Sequence, residues 1–302
     1  MANVLETKTA SGQVLFPPVL TNEMFNLVRG KSSLARLSAA RPISFSGNTI
    51  FTFNLDGEVA IVAESAQKPA GGATVAPKNI VPLKIVYSMR ESDEFRYSAE
   101  ERQLAVLRAF AEGFANKVAR GIDIMAFHGL NPATMTPATN VIGDNHFDAQ
   151  VTQTATMSAD PNGDVNAAIA LVEGNEHDVT GMAMSPAFRS ALVAQKKGTS
   201  SNESLFPELA WGSNPGTING LPVDVNSTVS INSSTDRAIL GNFRDFFRWG
   251  YAREVPLEII EYGDPDGLGD LKRQNQICIR GEAYVGWGIL VPDAFARIVA
   301  ST

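Results

Sequence analysis

One cysteine in 302 residues excludes an internal disulfide. Cys278 stands in the strand-like run Gln276-Ile277-Cys278-Ile279-Arg280, where a buried, inert thiol made in a reducing compartment is expected. Histidine is nearly as scarce. His128, His146 and His177 are too dispersed for metal-ligand spacing and read as surface or helix-end residues, so no metal site is expected. Surplus positive charge is missing too: 25 Lys and Arg against 32 Asp and Glu leave −7, which argues against a dedicated nucleic-acid binder. Residues 1–50 hold a mild basic bias, with Lys8, Arg29, Lys31, Arg36 and Arg41 against Glu6 and Glu23; a solvated arm explains it as well as a polyanion contact does. No apolar stretch nears the roughly 18–20 residues that span a bilayer, and residues 1–20 lack a secretory pattern. A soluble protein, cytoplasmic when made, is expected. Also absent are a Walker-type phosphate loop, a GxGxxG turn after a strand and a GxSxG elbow, so no cofactor is expected.

What the chain does have is a 44% hydrophobic content, enough for a sizeable core in two domains or one elaborate one. Residues 1–41 are punctuated by Pro17-Pro18 and Gly30, with one short helical candidate from Thr21 to Val28, and read as an arm. Phe51, Phe53 and Leu55 then alternate with Thr52, Asn54 and Asp56, and Val81, Leu83, Ile85, Tyr87 and Met89 repeat the two-residue period. With the small-residue segment Ala66 to Ala76 between them, these runs predict two long strands joined by a wide tip. A projecting hairpin has too few neighbours to be stable alone and needs a surface to lie on.

The strongest helical pattern follows. Ser98 with Glu101 forms a capping-box start, and Leu104, Leu107, Ala111, Phe114, Val118, Ile122 and Met125 recur at three- and four-residue spacings to His128-Gly129. About 30 residues make a helix of about 45 Å, with a narrow apolar stripe suited to one sheet. Beyond a polar, turn-rich stretch over 130–164 the pattern is mixed: a helix over 165–173, a strand over 182–184, a helix over 187–195, strands at 220–223, 238–241 and 257–262, and a long closing strand carrying Ala283, Val285, Trp287, Ile289 and Val291 up to Pro292.

Three local patterns carry chemistry in principle. Ser185, between a strand and a helix, mimics a nucleophile, but Pro186 behind it favours a helix N-cap. Asp264-Pro265-Asp266-Gly267 with Asp270 has the flavour of a calcium loop without the spaced ligands of an EF-hand, which favours a plain turn. Phe243, Phe246, Phe247, Trp249 and Tyr251, interleaved with Arg244, Arg248 and Arg253, could stack bases; a core or interface strand is the better reading in an acidic chain.

The order of elements resembles the HK97-fold major capsid proteins of tailed bacteriophages: an arm, a long two-stranded loop, a spine helix, an α/β insertion and a returning strand. Local matches are Ala63-Glu64-Ser65-Ala66-Gln67-Lys68-Pro69, Gly220-Leu221-Pro222-Val223, and Arg280-Gly281-Glu282-Ala283 running to Pro292-Asp293-Ala294-Phe295. No one of them is specific alone; their conjunction across nearly the whole chain carries the resemblance. It implies an α+β fold with an N-terminal arm over 1–41, an extended loop (E-loop) over 42–86, a peripheral P-domain over 87–160 and 272–302 with its spine helix over about 98–128, and an axial A-domain over 161–271. The function it implies is a subunit that self-assembles into hexamers and pentamers of an icosahedral shell enclosing double-stranded DNA, assembled in the host cytoplasm and located in the virion.

The same resemblance implies a portal, a decoration protein and a scaffolding protein as further partners. Met1 stands only about 40 residues before the loop, which leaves no room for a fused scaffolding segment, so either a separate scaffolding protein or assembly without one is expected. Some relatives weld their shells by isopeptide bonds; carried over residue by residue, the lysine is Lys68, the asparagine Asn275 and the promoting glutamate Glu282, although Gly281 and Ala283 depart from the more charged family pattern. Three alternatives remain open at this level: an encapsulin compartment, a hydrolase using Ser185 or the turn at Asp264 to Asp270, and a monomeric carbohydrate- or surface-binding module.

Overall fold

The computed structural model describes residues 31–98, 100–198, 201–232, 234–253 and 257–301. The helical candidate from Thr21 to Val28 and the Glu101 side chain of the capping box lie outside these residues. Ser98 turns its hydroxyl back to the Phe95 carbonyl at 2.6 Å.

A short helix, α1 (Ser33–Leu37), precedes the strands β1 (Asn48–Asp56), β2 (Gly72–Ile80) and β3 (Leu83–Ser92). The spine helix α2 (Glu100–His128) ends at Gly129, whose φ of +64° gives the left-handed exit that the sequence predicts. There follow α3 (Phe147–Gln150), β4 (Thr154–Thr156), α4 (Pro161–Glu173), β5 (Gly181–Met184), α5 (Pro186–Ala194), β6 (Thr217–Ile218), β7 (Leu221–Val225), β8 (Asp236–Gly241), α6 (Phe243–Phe246), β9 (Phe247–Arg253), β10 (Leu257–Ile260), β11 (Gln276–Ile289) and β12 (Phe295–Val299).

Three sheets organise these elements. β1 and β2 form an antiparallel ribbon of their own, with Phe53 opposite Val75. β11 is the axis of a second sheet, pairing with β3 along one edge and with β10 and then β9 along the other. The third sheet has the order β4-β12-β8-β5-β7-β6. α4 and α5 cover one of its faces, enclosing Ala168, Val172, Phe188, Leu192, Leu240 and Ile298. The other core joins α2 to the β11 sheet. There Phe147 gathers the rings of Phe127, Phe243, Phe247 and Phe295 at centroid distances of 5.1–6.0 Å.

The α+β class holds, and four sequence expectations are corrected in detail. The hairpin partner of β1 is Gly72–Ile80 and not the run over 81–89, which enters the β11 sheet as β3. Alternation cannot tell these two strands apart; the break at Val81-Pro82 does, since proline offers no N–H to a ladder. The end of the expected arm belongs to the body: Ser33, Leu34 and Ala35 are buried, and Arg41 and Ile43 bond the backbone of β9. That contact requires Gly250, where a Cβ would stand 1.7 Å from the Arg41 oxygen.

The expected domain limits also interleave. β9 and β10, placed by sequence in the axial unit, pair with β11, while the C-terminal β12 pairs with β4 and β8 in the other sheet. Finally, the last two turns of α2 are buried on every side from Gly121 to His128, where a one-sided stripe was expected.

Candidate assembly surface

The ribbon of β1 and β2 is built to be covered. Opposed residues of an antiparallel pair share a face, so Phe51 with Pro77, Phe53 with Val75 and Leu55 with Ala73 line one side. Phe51, Phe53 and Leu55 are 65%, 65% and 68% exposed. Val59 and Ile61, in the connecting segment, are exposed in full. The ribbon is tied down at its base, where Ile80 is buried and Gly288 lets it approach β11. A contiguous apolar face of this size marks a surface for another protein.

The crosslink candidates sit apart within one chain. Lys68 lies exposed in the segment between β1 and β2, and Asn275 is exposed at the turn entering β11 with a φ of +52°. Glu282, midway along β11, is ion-paired to Lys84 of its own chain at 2.8 Å. That pair raises the Lys84 pKa through the Glu282 hydrogen bond.

The other candidate chemistries find structural roles. Ser185 is 1% exposed and caps α5 by accepting from the Phe188 amide. The acidic turn closes around Arg90, whose guanidinium bonds Asp264 and Asp266, the Gly269 carbonyl and Gln274. Arg90 in turn pulls the Asp266 pKa down. Phe243, Phe247 and Trp249 are core residues, and Cys278 is buried, with its thiol pushed up by that burial. A groove of about 600 Å³ runs between α2, β3 and the loop over 131–142. Ile85, Phe114, Val118, Met125 and Pro132 line it together with Lys117 and Arg120, and no acid, histidine, serine or cysteine does.

Two polar centres escaped sequence reasoning. Asp123, fully buried in α2, accepts from Ser32 Oγ, the Ser33 and Leu34 amides, Asn226 Nδ2 and Thr228 Oγ1. Burial raises its pKa to about 6 against the pull of those donors. A lone acid in the apolar run Ile122 to Phe127 was the available signal. The second centre joins His128, Asp148 and Asp236, whose ligand atoms lie within 4.8 Å of one another. A guanidinium, Arg297, already stands against both carboxylates, so the set holds its own cation. His128 is a helix-end residue as expected, but a buried one. Among the described residues no helix is long and apolar enough to cross a membrane.

Comparison with known proteins agrees with this geometry. Residues 12–300 match the phage capsid family. A structure from Mycobacterium phage Ogopogo is 31% identical, with a TM-score of 0.76 over 90% of this chain and 92% of that one. One from Gordonia phage Cozz shares the fold at 23% identity and a TM-score of 0.74, covering 90% and 87%. A chain described as the capsid of an empty GTA particle computed with C5 symmetry shares it at 13% identity and 0.65, covering 90% of each. No curated protein matches by sequence. An exposed apolar ribbon, a spine helix across a β11-centred sheet and a match over almost the full length together place this chain in the phage capsid family.

Proposed function

We propose that the chain is the major capsid protein of a tailed phage, a structural subunit that assembles with its own copies into hexamers and pentamers of an icosahedral shell around double-stranded DNA. The observation that carries this reading is the apolar face of the β1–β2 ribbon. Burying Phe51, Phe53 and Leu55 contributes about 1.5–3 kcal/mol each, and among the described residues nothing covers them. A neighbouring copy does, and closed symmetry repeats that one contact around the particle. The net charge of −7 suits a wall that releases packaged DNA, because few phosphates would be neutralised. Assembly in the host cytoplasm, with a portal, a scaffolding protein and a decoration protein, completes the proposal. Negative-stain microscopy of the expressed protein tests it: shells, capsomers or sheets are expected, and a monodisperse monomer at 32.3 kDa overturns it.

A covalent step between subunits is the finer part of the proposal. The Lys68 amine, after giving a proton to Glu282, attacks the Asn275 side-chain carbonyl; an amide C–N bond forms and ammonia leaves. Exposure of both Lys68 and Asn275 supports a reaction between chains. Glu282 must first part from Lys84.

A further inference from the structure

The C-terminal end of α2 meets the six-stranded sheet through a buried polar junction that the shell reading leaves unexplained. His128 Nδ1 lies 2.8 Å from Asp148 Oδ2, and Nε2 lies 2.9 Å from the Thr228 carbonyl oxygen. Both of these oxygens offer lone pairs, so both ring nitrogens donate, and the ring that satisfies them is the imidazolium. The other oxygen of Asp148 accepts from Arg297 Nη1 at 2.6 Å, and the same nitrogen stands 3.4 Å from Asp236. Asp236 is 1% exposed, and its Oδ1 has no hydrogen-bond donor among the described residues.

The junction gathers charged and titratable groups from several elements: His128 comes from α2, Asp144 and His146 from the turn before α3, Asp148 from α3, Asp236 from β8 and Arg297 from β12. β8 and β12 are paired strands of the six-stranded sheet, and α2 and α3 pack against it through Phe127, Phe147 and Phe295, so the polar cluster adds to an apolar contact.

We propose that the His128–Asp148–Asp236–Arg297 cluster is a proton-operated latch between the spine helix and the six-stranded sheet. It is closed while His128 carries both ring protons and Asp148 and Asp236 share one. It loosens when those protons pass to solvent. Only N–H and O–H bonds change. Loss of the shared proton leaves the buried Asp236 and the half-buried Asp148 carboxylates facing each other across one guanidinium, and loss of the imidazolium proton leaves Nδ1 opposing a carboxylate lone pair.

The direction of the response follows from the surroundings. Burial, then the hydrogen bond to Asp148 and its charge, push Asp236 up. Burial would raise Asp148 as well, but bonds from His128 and Asp236, with the charges of His128 and Arg297, hold it down. Burial works against the charged form of His128, and the bond to Asp148 and its charge overcome it, so its pKa is raised. Asp236 and His128 thus hold their protons more tightly in the closed state than in an open one. Their contribution is complete below the ordinary values of the two groups and is lost as the pH rises through the raised values of Asp236 and His128.

Hydrogen exchange of assembled particles and of free subunits at about pH 5.5 and about pH 8.5, corrected for intrinsic rates, reads the latch. Protection over residues 122–128, 236–241 and 295–299 is expected to fall by about tenfold or more at the higher pH, with the β3–β11 ladder unchanged. Asp236→Asn, which keeps a neutral donor opposite Asp148, is expected to flatten that response. Equal wild-type protection at both pH values overturns the proposal, as does an undiminished response in the variant. Protection restored at high pH by zinc and removed by a chelator overturns it too, because it would make the cluster a metal site. If the variant does not fold, the wild-type comparison decides alone. The free-subunit arm is independent of shell formation, so failure of the latch and failure of the capsid reading are told apart.

Discussion

The carboxylate of Asp123 accepts the backbone amide of Ser33 at 2.9 Å across ninety residues of chain. It also accepts from Leu34, so a side chain in the last two turns of the spine helix caps the first turn of α1. The start of the body is thereby fixed to its longest element before the projecting ribbon begins.

Replacing Asp123 with Ala leaves the buried Ser32 and Thr228 hydroxyls and the half-buried Asn226 amide without their acceptor. A loss of about 3 kcal/mol is expected in urea unfolding of the free subunit. The Asp123 pKa is raised to about 6 from 3.8, so the folded state binds the proton more tightly. Its contribution is full below 3.8 and is lost as the pH rises through about 6. The gap between wild type and variant should therefore narrow over that interval; a gap that widens would sink this account.

Phe51→Ser with Phe53→Ser removes the centre of the apolar face without touching either core. The free subunit should keep its unfolding midpoint to within about 0.5 kcal/mol, while shells vanish from micrographs. Normal shells from the double variant would show that this face is not the contact.

Boiling particles in SDS reads the covalent step. Bands at multiples of the subunit mass, lost in Lys68→Arg and in Asn275→Ala, are expected if Glu282 is released from Lys84 on assembly. A clean monomer band removes the chemistry and leaves the noncovalent shell standing.

Trp287→Ala opens a void beside Asn145, whose carbonyl the indole N–H binds at 2.9 Å. About 3–5 kcal/mol of stability should be lost, measured by denaturant midpoint.

Cys278 is buried, and burial pushes its thiol pKa up. Native particles should resist a thiol reagent that labels one site per chain after denaturation. Fast native labelling would mean that the start of β11 opens.

Local pattern determined much of this protein. The three- and four-residue spacing from Leu107 to Met125 dictates a long helix, Ser185-Pro186 dictates a helix start, and alternation dictates strands at Phe51 and along β11, because period and capping are properties of neighbouring residues. The order of those elements sufficed for the resemblance to capsid subunits. Which strand pairs with which was decided only in three dimensions. β1 takes Gly72–Ile80, β3 takes β11, and β12 crosses to β8, since pairing rests on burial by residues far away in sequence. The two buried centres lay beyond reach for the same reason. Asp123 and the His128 cluster are ordinary polar residues until segments up to about 190 positions apart close over them, and only their neighbours give them a role.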